Sequence, residues 1–300
     1  MAEKSVNLEQ TWTTAILNVL RGVGIGIANV IPGVSGGTIA AISGIYDNLV
    51  YCFGNFFRGG WWRTLAYLTP IVVGTLAGFI AFAGLVDAAL EAYPEQTLFF
   101  FIGLIAGSVP FLVKRAGDSR FRLRYVVSLI VALVLVVVMG LAERPPAGEP
   151  ITEIDAVSAL IVVVAGGVGS VAMVVPGLSG SFLLLLFGFY ATMTNAARTL
   201  NIPVLALFLF GTFAGLVIAS KVISWFLQNY HAASYYAIVG LVLGSLVGVW
   251  PGWSGGEGSL ASVLFGMLGL VLSLALGTDI KERLRARQEY RAERESELHG

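Results

Sequence analysis

Two short blocks hold the residues whose types and spacing could do chemistry. They are Pro32-Gly33-Val34-Ser35-Gly36-Gly37-Thr38 and, 144 residues later, Pro176-Gly177-Leu178-Ser179-Gly180-Ser181-Phe182. Proline and several glycines cannot all sit inside a regular helix, so Pro32, Gly33, Pro176 and Gly177 read as helix breaks. Each block precedes an apolar helix, whose start offers backbone N–H groups and the positive end of a dipole. Ser35, Thr38, Ser179 and Ser181 add hydroxyl donors, and Gly36, Gly37 and Gly180 let backbone approach a ligand closely. Such a nest favours an anion, phosphate above all. The competing structural reading is a tight turn between packed hairpin arms, which leaves unexplained why the motif occurs twice.

Arg21 is the one basic residue that falls neither in a loop, nor in the tail, nor within snorkelling reach of a membrane surface. An intramembrane arginine is costly and marks a functional site by default. Phosphate binding, gating, or snorkelling to the inner headgroups all remain open for it. Its counterpart 144 residues on is Ala165, so the duplication breaks there. Asn29 precedes the first break and can hydrogen-bond carbonyls freed by it. Asp47 and Arg198 read as solvated interfacial charges. Enzyme chemistry is poorly supplied: two histidines, one cysteine and no paired intramembrane carboxylates argue against a membrane hydrolase or a metal centre. No phosphate-binding P-loop or dinucleotide fingerprint occurs, so neither cofactor nor nucleotide is expected.

The elements that position these blocks follow from composition. Of 300 residues, 57% are hydrophobic and only 12% charged, with mean hydropathy +0.84. Soluble domains carry about 25% charged residues, so the chain reads as an all-α polytopic membrane protein. Eighteen basic residues balance eighteen acidic ones, which excludes a nucleic-acid binder. A bilayer core takes roughly 20 apolar residues per helix. Candidate spans are about 65–86, 97–113, 123–142, 203–227, 233–250 and 259–277, while about 13–54 and 156–197 are apolar but interrupted. Residues 1–278 then form one membrane domain. Residues 279–300, with six basic and six acidic side chains, form a charged tail. The first apolar segment lacks a cleavage-site pattern and is expected to be retained.

Duplication extends beyond the blocks. Gly22, Gly44 and Tyr46 recur as Gly166, Gly188 and Tyr190. Gly74-Thr75-x-Ala77-Gly78 recurs 137 residues on as Gly211-Thr212-x-Ala214-Gly215, and Gly103-Leu104-x-x-Gly107-Ser108 as Gly240-Leu241-x-x-Gly244-Ser245. The paired small residues read as helix-packing contacts. Repeat one covers about 13–113, a connecting helix about 123–142, and repeat two about 156–277. Lys114, Arg115, Arg120, Arg122 and Arg124 make their loop cytoplasmic, and the remaining loops alternate consistently, with both termini inside. Three spans between the interrupted regions invert the second unit. Inverted repeats with broken helices are the pattern of secondary transporters, whose site lies where the breaks face each other. Each interrupted region can be a re-entrant hairpin or two full spans, since both return to the same side. Arg21 and several glycines make the first arm a poor lipid-facing span, so the expected fold is two re-entrant hairpins plus about six full transmembrane helices.

The two blocks, followed by Gly44-Ile45-Tyr46 and by Gly188-Phe189-Tyr190, resemble the bacterial polyprenyl-phosphate transporter family over about residues 14–278. That resemblance implies translocation of undecaprenyl phosphate, the cell-wall carrier lipid, from the outer to the inner leaflet of the bacterial cytoplasmic membrane. It carries the lipid-phosphate site onto Arg21 and the two break motifs, with Ser35, Gly36, Gly37, Thr38, Ser179, Gly180 and Ser181; Asn29 joins these substrate-binding candidates by its place before the first break. The family often has an acidic residue where this chain has Asn29, which removes the basis for proton coupling at that position. Only the resemblance puts the anion on a prenyl tail. The residues themselves equally allow a small-anion transporter or channel, and the discriminating feature is whether the site opens sideways to lipid.

Overall fold

The computed structural model describes residues 11–30, 35–57, 60–117, 122–141, 150–252 and 259–277. The first-break residues Pro32 and Gly33, the charged tail and the side chain of Ser181 lie outside that set. Among the described residues every regular element is a helix. In order they are α1 (Trp12–Val30), α2 (Gly36–Ile42), α3 (Tyr46–Gly54), α4 (Trp61–Ala92), α5 (Pro94–Arg115), α6 (Leu123–Leu141), α7 (Ala156–Val174), α8 (Gly180–Leu186), α9 (Tyr190–Thr199), α10 (Ile202–Asn229), α11 (His231–Val249) and α12 (Ser259–Gly277).

Seven of these, α1, α4, α5, α6, α7, α10 and α11, are long and apolar enough to cross a membrane. The six uninterrupted expected spans match α4, α5, α6, α10, α11 and α12, those at 123–142 and 233–250 running one residue past the ends of α6 and α11. Each interrupted region becomes a 19-residue helix followed by two short ones. At 1.5 Å per residue, α1 and α7 reach about 28 Å, close to the hydrocarbon thickness. In each repeat the two short helices are separated by a left-handed glycine, Gly44 (φ +74°) and Gly188 (φ +78°), a backbone conformation that favours glycine.

Local signals set the helix starts. Asp155 and Ser158 form a reciprocal capping box that opens α7, with Ser158 N–H donating to Asp155 Oδ1 at 2.7 Å. The same Ser158 donors hold the exposed Asp155 carboxyl below its usual pKa. Asn201 caps α10 through Val204 N–H, and Pro94 occupies the first turn of α5, where its missing N–H costs nothing.

Packing repeats as the sequence does. α1 pairs with α4 as α7 pairs with α10, and α5 pairs with α12 as α11 pairs with α6. α6 and α12 thus hold equivalent places, and the buried centre lies between α5 and α11, around Phe101, Ile105, Tyr235 and Val242. The small residues are what allow these pairs to form. A Cβ on Gly22, Gly74 or Gly78 would overlap the facing backbone of α4 or α1. A Cβ on Gly166, Gly211 or Gly215 would do so between α7 and α10. Without a hydrophobic force between helices in lipid, such close approach supplies much of the association. Large apolar side chains cover the outside instead, including Val73, Ile80, Val131, Leu209 and Leu264.

Candidate functional site

The two breaks touch. Ser35 Oγ donates to Val175 O at 3.5 Å, and Gly177 N–H donates to Thr38 Oγ1 at 3.0 Å. A Cβ on Gly37 would sit 3.2 Å from Met173 O and 3.4 Å from Pro176 Cα. Asn29, Ser35, Gly36, Gly37, Thr38, Pro176 and Gly177 therefore form one constellation, assembled from both repeats. Ser179 is the N-cap of α8, and Gly180 approaches Gly169 of α7.

The first block differs from expectation in one respect: its helix-start donors are already engaged. Gly36 N–H donates to Asn29 Oδ1 at 3.1 Å, Gly37 N–H to Ser35 Oγ at 3.2 Å, and Thr38 N–H to Ser35 O at 2.9 Å. The reason is the cost of an unpaired buried N–H, about 1–3 kcal/mol, which the chain avoids by supplying its own acceptors. Asn29 reaches the break because α2 folds back beside the end of α1. Its carboxamide oxygen occupies the position where a ligand oxygen would accept.

Arg21 lies apart from this constellation. It precedes Asn29 by eight residues, about 12 Å along α1, and its Nη1 donates to Asn18 Oδ1 at 3.0 Å. Asp47, read as an interfacial charge, is instead tied into a cluster. Tyr235 Oη donates to Asp47 Oδ1 at 2.9 Å, and Arg115 Nη1 lies 3.5 Å from Asp47 Oδ2. Arg115 Nη2 also donates to Gly44 O at 3.5 Å, and His231 Nε2 is 3.0 Å from Arg115 O. Through these contacts α3 is fastened to α5 and α11. The repeat equivalents of the four side chains are Ala191, Leu98, Gly252 and Pro94, so the fastening is one-sided.

Beside the first break lies a cavity of about 220 Å³. Asn29, Gly36 and Gly37 stand at one end, and α3, α4, α7 and α10 supply apolar walls. Val72 and Leu76 of α4 and Met173 of α7 line it while remaining 49%, 56% and 53% exposed, so its wall runs out onto the apolar exterior.

Residues 25–263 match the family model described as VCA0040-like, undecaprenyl phosphate translocase-like. The chain belongs to this family. Among its curated relatives, a polyprenyl-phosphate transporter of Staphylococcus aureus is 33% identical over 280 residues, covering 87% of this chain and 95% of that protein. A polyprenyl-phosphate transporter of Vibrio cholerae is 32% identical over 265 residues, covering 84% of this chain and 80% of that one. No solved structure matches. Tyr46, Thr75, Met173 and Leu216 are among the cavity-lining residues that the sequence did not mark as site candidates. Tyr46 and Thr75 had a signal, since both recur in repeat two, as Tyr190 and Thr212.

Proposed function

We propose that this chain is a transporter, not an enzyme, that carries undecaprenyl phosphate from the outer to the inner leaflet of the bacterial cytoplasmic membrane for reuse. The phosphate passes between the two breaks near the midplane, and the hydrocarbon remains on the lipid side. One observation carries the reading: the first break, joined by direct hydrogen bonds to the second, forms the polar end of an apolar cavity whose wall continues onto the apolar exterior. A carrier for a small soluble anion has no use for such a wall. Crossing hydrocarbon unaided, a phosphate meets a desolvation cost that fixed donors at mid-depth would lower.

The donors act by exchange. When the Asn29 carboxamide turns aside, a phosphate oxygen takes over the Gly36 N–H, and Asn29 Nδ2 and the Ser35 hydroxyl become further donors. Charge-assisted bonds of this kind are roughly twice as strong as the neutral ones they replace. Ser179, Gly180 and Ser181 play the matching part in repeat two, and Arg21 receives the headgroup further along α1. The two repeats differ in how deeply they bury matched residues, Tyr46 being 4% exposed and its counterpart Tyr190 43%, an asymmetry of the kind alternating access between inverted repeats uses.

The reading is tested by determining the structure in nanodiscs loaded with undecaprenyl phosphate. Phosphate density is expected against Asn29, Ser35 and Gly36, with the Asn29 amide displaced. Headgroup density only at Arg21 or the membrane surface, with both breaks unchanged, would overturn it. Orientation has its own check, in a Cys52-free background carrying single cysteines at Arg120 or Glu149. In intact cells an impermeant thiol reagent should label position 149 and spare position 120, and the opposite pattern reverses the topology.

A further inference from the structure

We infer that the cavity beside the first break is a binding site for the isoprene units next to the phosphate, so that the protein reads the root of the tail as well as the headgroup. This rests on the reading that the headgroup stands at the breaks. It adds that the near part of the tail leaves the lipid and enters the protein.

The cavity changes character abruptly. Asn29, Gly36 and Gly37 form its polar end, and Ala40, one turn further along α2, is already part of an apolar wall. Beyond it come Leu49, Val50 and Phe53 of α3 facing Leu68, Ile71 and Val72 of α4. Thr75, also in the lining, has its hydroxyl turned back to Ile71 O at 2.8 Å. Apart from Tyr46, the rest of the lining is apolar, so a ligand whose charged group sits at Gly36 presents mainly hydrocarbon to the cavity directly after its phosphate.

That requirement separates two classes of lipid phosphate. In a glycerophospholipid the phosphate is followed by a glycerol carrying two esters, whose carbonyls would be buried against Ala40 and Ile25 without partners, at a desolvation cost. It also brings two chains to one cavity. In a polyprenyl phosphate the phosphate is followed at once by a single branched, unsaturated hydrocarbon. Size agrees: about 220 Å³ is below the roughly 300–1,000 Å³ of pockets that enclose a whole drug-sized ligand, so the cavity holds only the first units of a long chain. The rest of the tail leaves past Val72, Leu76 and Met173, where the wall meets the exterior.

The site supplies selectivity more than affinity. Lipid is as apolar as the cavity wall, so moving a tail from one to the other gains little from burial itself. What the wall can read is shape, here the methyl branches. One methyl or methylene more or less in a fitted apolar pocket discriminates by about 10–200-fold.

The full chain in detergent, titrated with farnesyl phosphate and with dodecyl phosphate, provides the test, since the two share a headgroup and main-chain length and differ in the methyl branches and double bonds of an isoprenoid. Farnesyl phosphate is expected to bind at least about tenfold more tightly. Val72→Trp and Leu76→Trp, both at the half-exposed mouth where added bulk meets lipid, should bring the two affinities to within about twofold of each other, the branched-chain advantage being what the filled pocket loses. Ala40→Leu, deeper in, should act the same way if it folds. If both amphiphiles bind but the parent shows no preference, or the tryptophan variants keep it, the tail-root site is wrong while the headgroup reading stands. If neither amphiphile binds the parent, the headgroup reading fails and takes this inference with it.

Discussion

Replacing Gly177 by alanine is expected to unfold the centre of the protein at a markedly lower temperature than the parent. Gly177 has φ +84°, a left-handed conformation that costs a side-chain-bearing residue about 1–2 kcal/mol. It is buried, and a Cβ there would lie 2.6 Å from Leu241 C and 2.8 Å from Val242 N, both backbone atoms of α11. Backbone cannot rotate away as a side chain can, and overpacking of this kind adds about 1–3 kcal/mol. The shift would also pull Gly177 N–H off Thr38 Oγ1 and part the two breaks. Gly188→Ala is the matched control: φ is +78°, but a Cβ there meets nothing within 4 Å, so only the conformational cost applies. Thermal unfolding of the three proteins in one detergent should rank parent, Gly188→Ala and Gly177→Ala in falling order. Equal losses for the two variants would mean that contact between the second break and α11 contributes nothing.

The second large effect is on transport. Ser35 is 4% exposed and caps α2 through Gly37 N–H while its hydroxyl reaches across to Val175 O. Ser35→Leu removes the cap, worth about 1 kcal/mol, and pushes a branched side chain into the seam between the breaks. The long helix pairs lie elsewhere, so insertion and helical content should persist while transport is abolished. Ser35→Ala removes the same hydrogen bonds without adding volume. It should slow transport by about tenfold, the scale of one interaction near 1.4 kcal/mol. Ser35→Leu protein that is folded and transports like the parent would make the seam a purely structural feature.

What was legible in the sequence was what occurs twice. The breaks, the recurrence of Gly44 as Gly188, and the small residues that interlock α1 with α4 and α7 with α10 all stood out because duplication separates a constraint from an accident. Helix partners were not legible: nothing in α6 says that it packs on α11 rather than on α5, its neighbour in sequence. Nor was the engagement of the Gly36 N–H by Asn29, because the angle at which α2 folds back beside α1 depends on tertiary packing. Arg21 looked close to the break along the chain, but eight residues of helix carry it about 12 Å away, into a hydrogen bond with Asn18. The Asp47, Arg115, Tyr235 and His231 cluster escaped for the opposite reason to the breaks. Its members are up to 188 residues apart and have no counterparts in the other repeat.

The central claim is that a lipid phosphate crosses the bilayer by way of the paired breaks, and liposomes test it most directly. The purified chain is reconstituted with undecaprenyl phosphate, and a membrane-impermeant phosphatase is added outside. Without protein, about half of the headgroups are protected in the inner leaflet. With the parent chain the protected half should become accessible, and with Ser35→Leu it should stay protected. Accessibility that remains near half with the parent, while entrapped inorganic phosphate escapes, would contradict the account and make the protein a small-anion carrier.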